Sequence, residues 1–317
     1  MKNIKPLVSI HCLVYNHEQY LRQCLDGFIM QKTNFAFEAI VHDDASTDNS
    51  AEIIREYADK YPNIIKPIYE IENQYSKKDG SLTKIMNKAF HPDSKYIAYC
   101  EGDDYWIDPY KLQKQVDILE SDSNISMVYT NFNTVNERGE IEYRERYEKY
   151  KKISRSGDLF MRLLFSNNFI MTVTTMYRKE ILFSNKIISQ SPVSLDYLVS
   201  LTAAGLGNLY YLNEVTSSYR NAPNGQMNSN MKVVQSSINI IRYYIEYCYI
   251  NNGFRTQSIN DTFRIKSHFI RTSFTSLIPK KYKYSLVKLL FRKPTMIPIT
   301  LITLIRYGAT KLYNKFK

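Results

Sequence analysis

Two short acidic runs contain the side chains best suited to chemistry, Asp43-Asp44 and Glu101-Gly102-Asp103-Asp104. Each follows a stretch of strand-like residues, Phe37 to Val41 and Lys95 to Cys100. In an open α/β sheet the carboxyl ends of the strands form the edge where ligands bind. Carboxylates gathered there repel one another unless a positive group joins them. A hard divalent cation, Mn2+ or Mg2+, shared with diphosphate oxygens suits such a set of oxygen donors. Taken singly, acids in these places also read as loop residues or helix caps, and Asp48 and Asp108 fit that second role.

Other chemistries lack their residues. The sequence holds neither GxGxxG nor GxxxxGK[ST], which disfavours dinucleotide-dependent dehydrogenases and P-loop kinases. It has no HExxH spacing and no GxSxG elbow, so zinc and serine hydrolases fall away. Cys12, Cys24, Cys100 and Cys248 form no CxxC pair, and read as reduced core thiols rather than zinc ligands or disulfides.

The elements that must position the acids follow from the hydrophobic pattern. Val8 to Val14 is an apolar run of the kind buried on both faces of a sheet. The spacing predicts a helix opening at Asn16 with Gln19 completing a capping box, and another opening at Asn49 with Glu52. Ile64 to Tyr69 reads as a strand, Leu82 to Phe90 as a helix, and Asp108-Pro109 opens a helix with Leu112, Val116 and Leu119 inward. Farther on, the pattern gives a strand over Ile125 to Phe132 and a helix over Asp158 to Phe165. A β-branched strand over Phe169 to Tyr177 and a helix around Asp196 to Ala204 complete it. The alternation over the first 120 residues predicts an α/β fold, an open and mostly parallel sheet flanked by helices.

Val8-Ser9-Ile10 with Tyr15-Asn16, His42-Asp43-Asp44-Ala45-Ser46-Thr47-Asp48, and Cys100-Glu101-Gly102-Asp103-Asp104-Tyr105-Trp106 together resemble family 2 glycosyltransferases of the bacterial cell-surface polysaccharide type. The resemblance is specific over residues 6 to 120 and weaker to about 226. It implies an A-type glycosyltransferase fold, Rossmann-like and nucleotide-sugar-binding, with an inverting mechanism and a divalent metal. Carried over by position, Tyr15 would stack on the donor base and Asp44 would accept a hydrogen bond from a uracil or thymine ring nitrogen. Asp103 would contact the ribose or sugar, and Asp104 would ligate the metal. Glu101 stands where the family's Asp-x-Asp motif has its first acid. The family's proton-accepting base lies at the start of a helix after the core sheet, where Ser194-Leu195-Asp196-Tyr197 fits. Asp196 also reads as a plain helix cap. Arg220 would neutralise phosphate, or is simply a surface arginine. Two residues beyond it, family members often carry a histidine, whereas this chain has Ala222.

The chain has 317 residues, a formal net charge of +11 and 44% hydrophobic residues, an ordinary globular composition. From Met231 onward there are 16 Lys and Arg against only Glu246 and Asp261, so the first 230 residues carry about −3 and the rest +14. Interleaved with Phe269, Phe274, Leu277, Tyr282, Leu286 and Leu290, this charge reads as a basic amphipathic helical extension suited to an anionic membrane surface, or as a helical cap on the body. The expected organisation is a glycosyltransferase domain over 1–230, with a donor half to 120 and an acceptor half from 121, then the cationic extension over 231–317. The N-terminal segment reads as a strand rather than a secretory signal, and the apolar run from Met296 to Ile305 is too short to span a bilayer. The expected setting is cytoplasmic and peripheral on the inner face of the cell membrane, with a nucleotide-sugar donor and a glycan or lipid-linked acceptor. No recognition motif accompanies the charge, so a nucleic-acid partner is not expected. The Ala222 departure motivates a rival expectation, an inactive relative that binds a glycan or a partner enzyme at the membrane.

Overall fold

The computed structural model describes residues 5–77, 79–165, 168–184 and 195–221, with short pieces at 265–266 and 268–269. The chain divides into two compact units, Met1–Gln226 and Met227–Lys317, and only the short pieces belong to the second. Ala222, and the cationic extension apart from those short pieces, therefore lie outside the described residues.

Parallel strands form the heart of the first unit. β1 (Val8–Val14) is flanked on one side by β2 (Phe37–Asp43) and β3 (Ile65–Tyr69), and on the other by β4 (Tyr96–Tyr99), all in parallel register. Val8, Ile10, Cys12 and Val14 are at most 1% exposed. Burial of such aliphatic side chains contributes about 1.5–3 kcal/mol each, which makes β1 the anchor of the sheet. Beyond β4 the sheet changes character. β7 (Met176–Arg178) pairs antiparallel with β4 and with β6 (Ile125–Val135). The long β8 (Asn208–Arg220) runs parallel to β6 with bulges, and the two-residue β5 (Tyr105–Trp106) closes the order antiparallel to β8. Among the described residues the eight strands run β3-β2-β1-β4-β7-β6-β8-β5. The expected open, mostly parallel sheet flanked by helices is what forms.

The helices that steer the site are α1 (Leu21–Ile29), α2 (Ser50–Lys60), α5 (Lys111–Ser121) and α9 (Leu195–Leu206). Others lie between them in the chain: α3 (Gln74–Lys77), α4 (Ser81–Ala89), α6 (Glu145–Ile153), α7 (Phe160–Phe165) and, after β7, α8 (Glu180–Phe183). α1 buries Leu21, Cys24, Leu25 and Phe28 at helical spacing. A Cβ at Gly27 would lie 3.0 Å from the Trp106 backbone nitrogen, so glycine lets α1 approach β5 closely. No helix among the described residues is long and apolar enough to cross a membrane. Cys12, Cys24 and Cys100 are free and buried, and Cys248 lies outside the described residues.

Three local expectations are corrected. Asn16 does not cap α1, which starts at Leu21; its backbone is left-handed, with φ of 56°, and its side chain accepts the Thr47 amide at 2.8 Å. Asn49 precedes α2 without capping it, because its amide groups donate to Glu18 while Asp48 accepts the Ser50 amide. In both cases a contact between loops outcompetes the local cap. Finally, Phe169 to Tyr177 is not one strand. The Thr174 and Thr175 hydroxyls bond back to the carbonyls of Met171 and Thr172, which curls residues 172–174 into a 3-10 turn ahead of β7.

Candidate active site

The C-terminal ends of β1, β2 and β4 meet along one edge. The Asp44 amide donates to the Val14 carbonyl at 2.9 Å, and the Gly102 amide donates to Leu13 at 2.9 Å. Gly102 is the residue that permits this approach. A Cβ there would lie 2.7 Å from the His17 ring and 3.0 Å from Val14. Tyr15, Asp44 and the acidic run Glu101 to Asp104 are thereby brought to the same edge, as their positions after the strands predict.

The loops behind that edge are lashed together. Asn16 and Glu18 exchange hydrogen bonds with Ser46, Thr47, Asp48 and Asn49, and the His17 amide donates to Ser50. Ala45 also sits at positive φ, 62°, a conformation costing an L-residue about 1–2 kcal/mol. This strain and lashing fix the turn that carries Asp44. Tyr15 lies at the rim, 46% exposed, a free aromatic face. Asp44 is buried, and its two oxygens accept the Gln74 amide at 2.7 Å and the Tyr75 amide at 2.9 Å. It orders the connection that follows β3, and only its remaining lone pairs are left for a ligand.

The acidic run is electrostatically strained. Burial raises the Glu101 carboxyl well above its usual range, and the fields of Asp196 and Asp103 add to it. Asp104 is likewise raised well above the usual range, by burial first and then by Asp103. Asp196, in the first turn of α9, lines one cavity with Tyr99 of β4 and lies within electrostatic reach of Glu101 just past that strand. Asp104 is held by the Arg220 amide, which donates to its Oδ1 at 2.7 Å.

Arg220 is only 3% exposed, which overturns the surface-arginine alternative read from the sequence. Its guanidinium lies 4.5 Å from the Tyr20 ring centroid and 5.4 Å from that of Tyr105. Nε donates to the Asp103 carbonyl, and the other nitrogens to Asn136, Glu137 and Gln23. A single guanidinium N–H has no partner among the described residues. Arg220 is thus the clamp that fixes the backbone of Asp103. Nothing in the sequence pairs it with Tyr20, Gln23 or Tyr105, because only tertiary folding brings them together.

Among the described residues no three His, Cys, Asp or Glu side chains converge as a metal-binding set. A buried carboxylate whose proton affinity is raised by burial and by neighbouring acids still fits a Mg2+-like ion held largely by phosphate oxygens and water. On that chemistry Asp104, with Asp103 beside it, is the donor the chain offers.

The fold and this edge define an A-type glycosyltransferase fold. The family model "Glycosyl transferase family 2" matches residues 9–183, more than half the chain, and the chain belongs to that family. An uncharacterised protein of Mycobacterium tuberculosis is 33% identical over 218 residues, which cover 69% of this chain and 60% of that one. The chain thus spans less than two thirds of that relative's length. Among solved structures, residues 1–349 of S. aureus TarS in complex with UDP-GlcNAc superpose with a TM-score of 0.55 at 15% identity, covering 96% of this chain and 92% of that one. The mannosyltransferase PcManGT from Pyrobaculum calidifontis, in complex with GDP-Man and Mn2+, gives a TM-score of 0.54 at 14% identity. It covers 99% of this chain and 83% of that one. At these identities the structures speak for the fold alone.

Proposed function

We propose that this chain catalyses inverting transfer of a sugar from a UDP- or dTDP-sugar to a lipid-linked or polysaccharide acceptor, at the cytoplasmic face of a membrane, in cell-surface glycan synthesis. The observation that supports the reading is that Asp196, from an element far along the chain, lines one cavity with Tyr99 of β4 and lies within electrostatic reach of Glu101 in the acidic run. In this reading Tyr15 stacks on the base, and Asp44 serves the base through its remaining lone pairs and through the loop it orders. Asp103 binds the ribose or sugar. Glu101, whose raised proton affinity lets it donate as well as accept, binds sugar hydroxyls. Arg220 adds positive charge behind Asp103 more than a direct phosphate contact.

Asp196 accepts the acceptor hydroxyl's proton as that oxygen attacks the anomeric carbon from the face opposite the diphosphate. The bond from the anomeric carbon to the diphosphate oxygen breaks, the configuration inverts and the proton ends on Asp196. A divalent ion held by Asp104, when bound, would stabilise the charge left on the diphosphate as a Lewis acid.

Thermal-shift screening against UDP, dTDP, GDP and CMP, each with and without Mn2+, tests the donor site. UDP or dTDP is expected to stabilise the protein only with metal, and Asp196→Asn to keep that stabilisation while losing at least 100-fold in transfer. Stabilisation without turnover by the native chain would favour the inactive, glycan-binding relative. No shift with any nucleotide would overturn the donor site.

A further inference from the structure

The connection that leaves β3 is tied to Asp44 through one residue, Gln74. Its backbone amide and that of Tyr75 donate to the two Asp44 oxygens at 2.7 and 2.9 Å, and the Asn73 side chain donates to the Asp44 carbonyl at 3.2 Å. A carboxylate that accepts a charge-assisted bond on each oxygen has its plane fixed, and its remaining lone pairs are aimed with it. The Gln74 side chain, in turn, fixes those amides. Gln74 is 8% exposed. Its Nε2 donates to the Glu70 carboxylate at 3.1 Å and to the Glu72 carbonyl at 3.0 Å, while its Oε1 accepts the Lys77 ammonium at 3.1 Å. Both donors and the carbonyl of this amide are therefore spent inside the protein, where a surface glutamine would leave them to water.

Glu70 is seated as firmly. Its amide donates to the Asp43 carbonyl at 3.0 Å, and its second carboxylate oxygen lies 3.5 Å from Nε2 of the fully buried His42. A closed circuit thus runs from β2 to Glu70, across the Gln74 side chain and back through the Gln74 amide to Asp44.

We propose that Gln74, anchored by Glu70, is the positioning residue for Asp44 and through it a determinant of which base the donor carries. The inference rests on the reading of Asp44 as the acceptor of a ring N–H. Uracil and thymine present that N–H in the plane of the base, and a hydrogen bond weakens steeply as it leaves line. Cytosine presents an unprotonated ring nitrogen at the same place, lone pair against lone pair. A carboxylate held in one plane accepts the first and rejects the second; one free to rotate loses both the affinity and the discrimination.

Calorimetry on the full chain with UDP, CDP and pyrophosphate, each with Mn2+, tests this, pyrophosphate being the probe that has no base. Gln74→Leu keeps the volume and removes all three side-chain bonds. It is expected to bind UDP about 10-fold more weakly, to prefer UDP over CDP less, and to bind pyrophosphate as the native protein does. Gln74→Glu sets two carboxylates face to face and is expected to lose UDP affinity likewise. Adding Glu70→Gln to it returns a donor to the pair and is expected to recover most of that affinity. Native UDP binding left unchanged in Gln74→Leu overturns the proposal alone, and so does an equal loss for UDP and pyrophosphate, which would mean general damage to the site. Failure of the native chain to prefer UDP over CDP overturns the reading of Asp44 and the proposal with it.

Discussion

At the scale of single residues, the acids were legible because carboxylates at strand ends have few structural reasons to cluster. Lys111 was not, since a lysine at the start of a helix normally reads as a solvated charge. It is 0% exposed, with Nζ donating to Gln115 at 2.6 Å and lying 4.8 Å from the Trp106 ring centroid. Burial lowers it from 10.5 to about 7, against the opposing fields of Cys100 and Asp108. Between pH 7 and 10.5 the unfolded chain therefore holds a proton that the folded chain has released, so stability rises with pH across that window. Denaturant midpoints at pH 7, 8.5 and 10 are expected to climb in the native protein and to climb less in Lys111→Met. Equal slopes in the two proteins would show that Lys111 does not contribute the rise.

At the scale of elements, β8 shows what a sequence pattern conceals. Its residues alternate poorly because the strand bulges as it passes β6, yet it delivers Arg220 to the acidic loop. The Arg220 guanidinium bridges Asp103, Asn136, Glu137 and Gln23 between two tyrosine rings, which ties β8, α1 and the loop after β6 to the acidic run. A lysine ammonium cannot span that fan of acceptors or stack in the same way. Arg220→Lys is expected to cost about 2–4 kcal/mol of stability, the scale of breaking a buried hydrogen-bond network. Urea denaturation reads this directly, and an unchanged midpoint would reduce the clamp to a surface contact. The capping residues make the same point from the other side. Asn16 and Asn49 have the right types for helix caps, but the loops they belong to press together and use them on each other.

At the scale of the whole molecule, the division of charge between a near-neutral body and a strongly cationic C-terminal segment is a property of the sequence alone. The proposed membrane setting rests on it. Each lysine near an anionic surface contributes about 1 kcal/mol, so reversing Lys280, Lys281 and Lys283 to Glu in the full chain should weaken vesicle binding at least about 100-fold. Sedimentation with phosphatidylserine vesicles measures this, and equal binding would favour a helical cap over a membrane anchor.

The sequence by itself determined the parallel β1–β4 core and the edge where the acids gather. Apolar periodicity and strand-end position are local signals that burial enforces directly. It also carried the family, through three short runs whose order and spacing survive without any view of their contacts. Tertiary structure alone decided which distant groups reach those acids: Asp196 within electrostatic reach of Glu101, and Arg220 bonded to the Asp103 carbonyl. Such meetings depend on how the mixed second half of the sheet, with β7 and β5 antiparallel to their neighbours, joins the parallel first half. They are set by packing between elements far apart in the chain, and no local pattern of residue types encodes them.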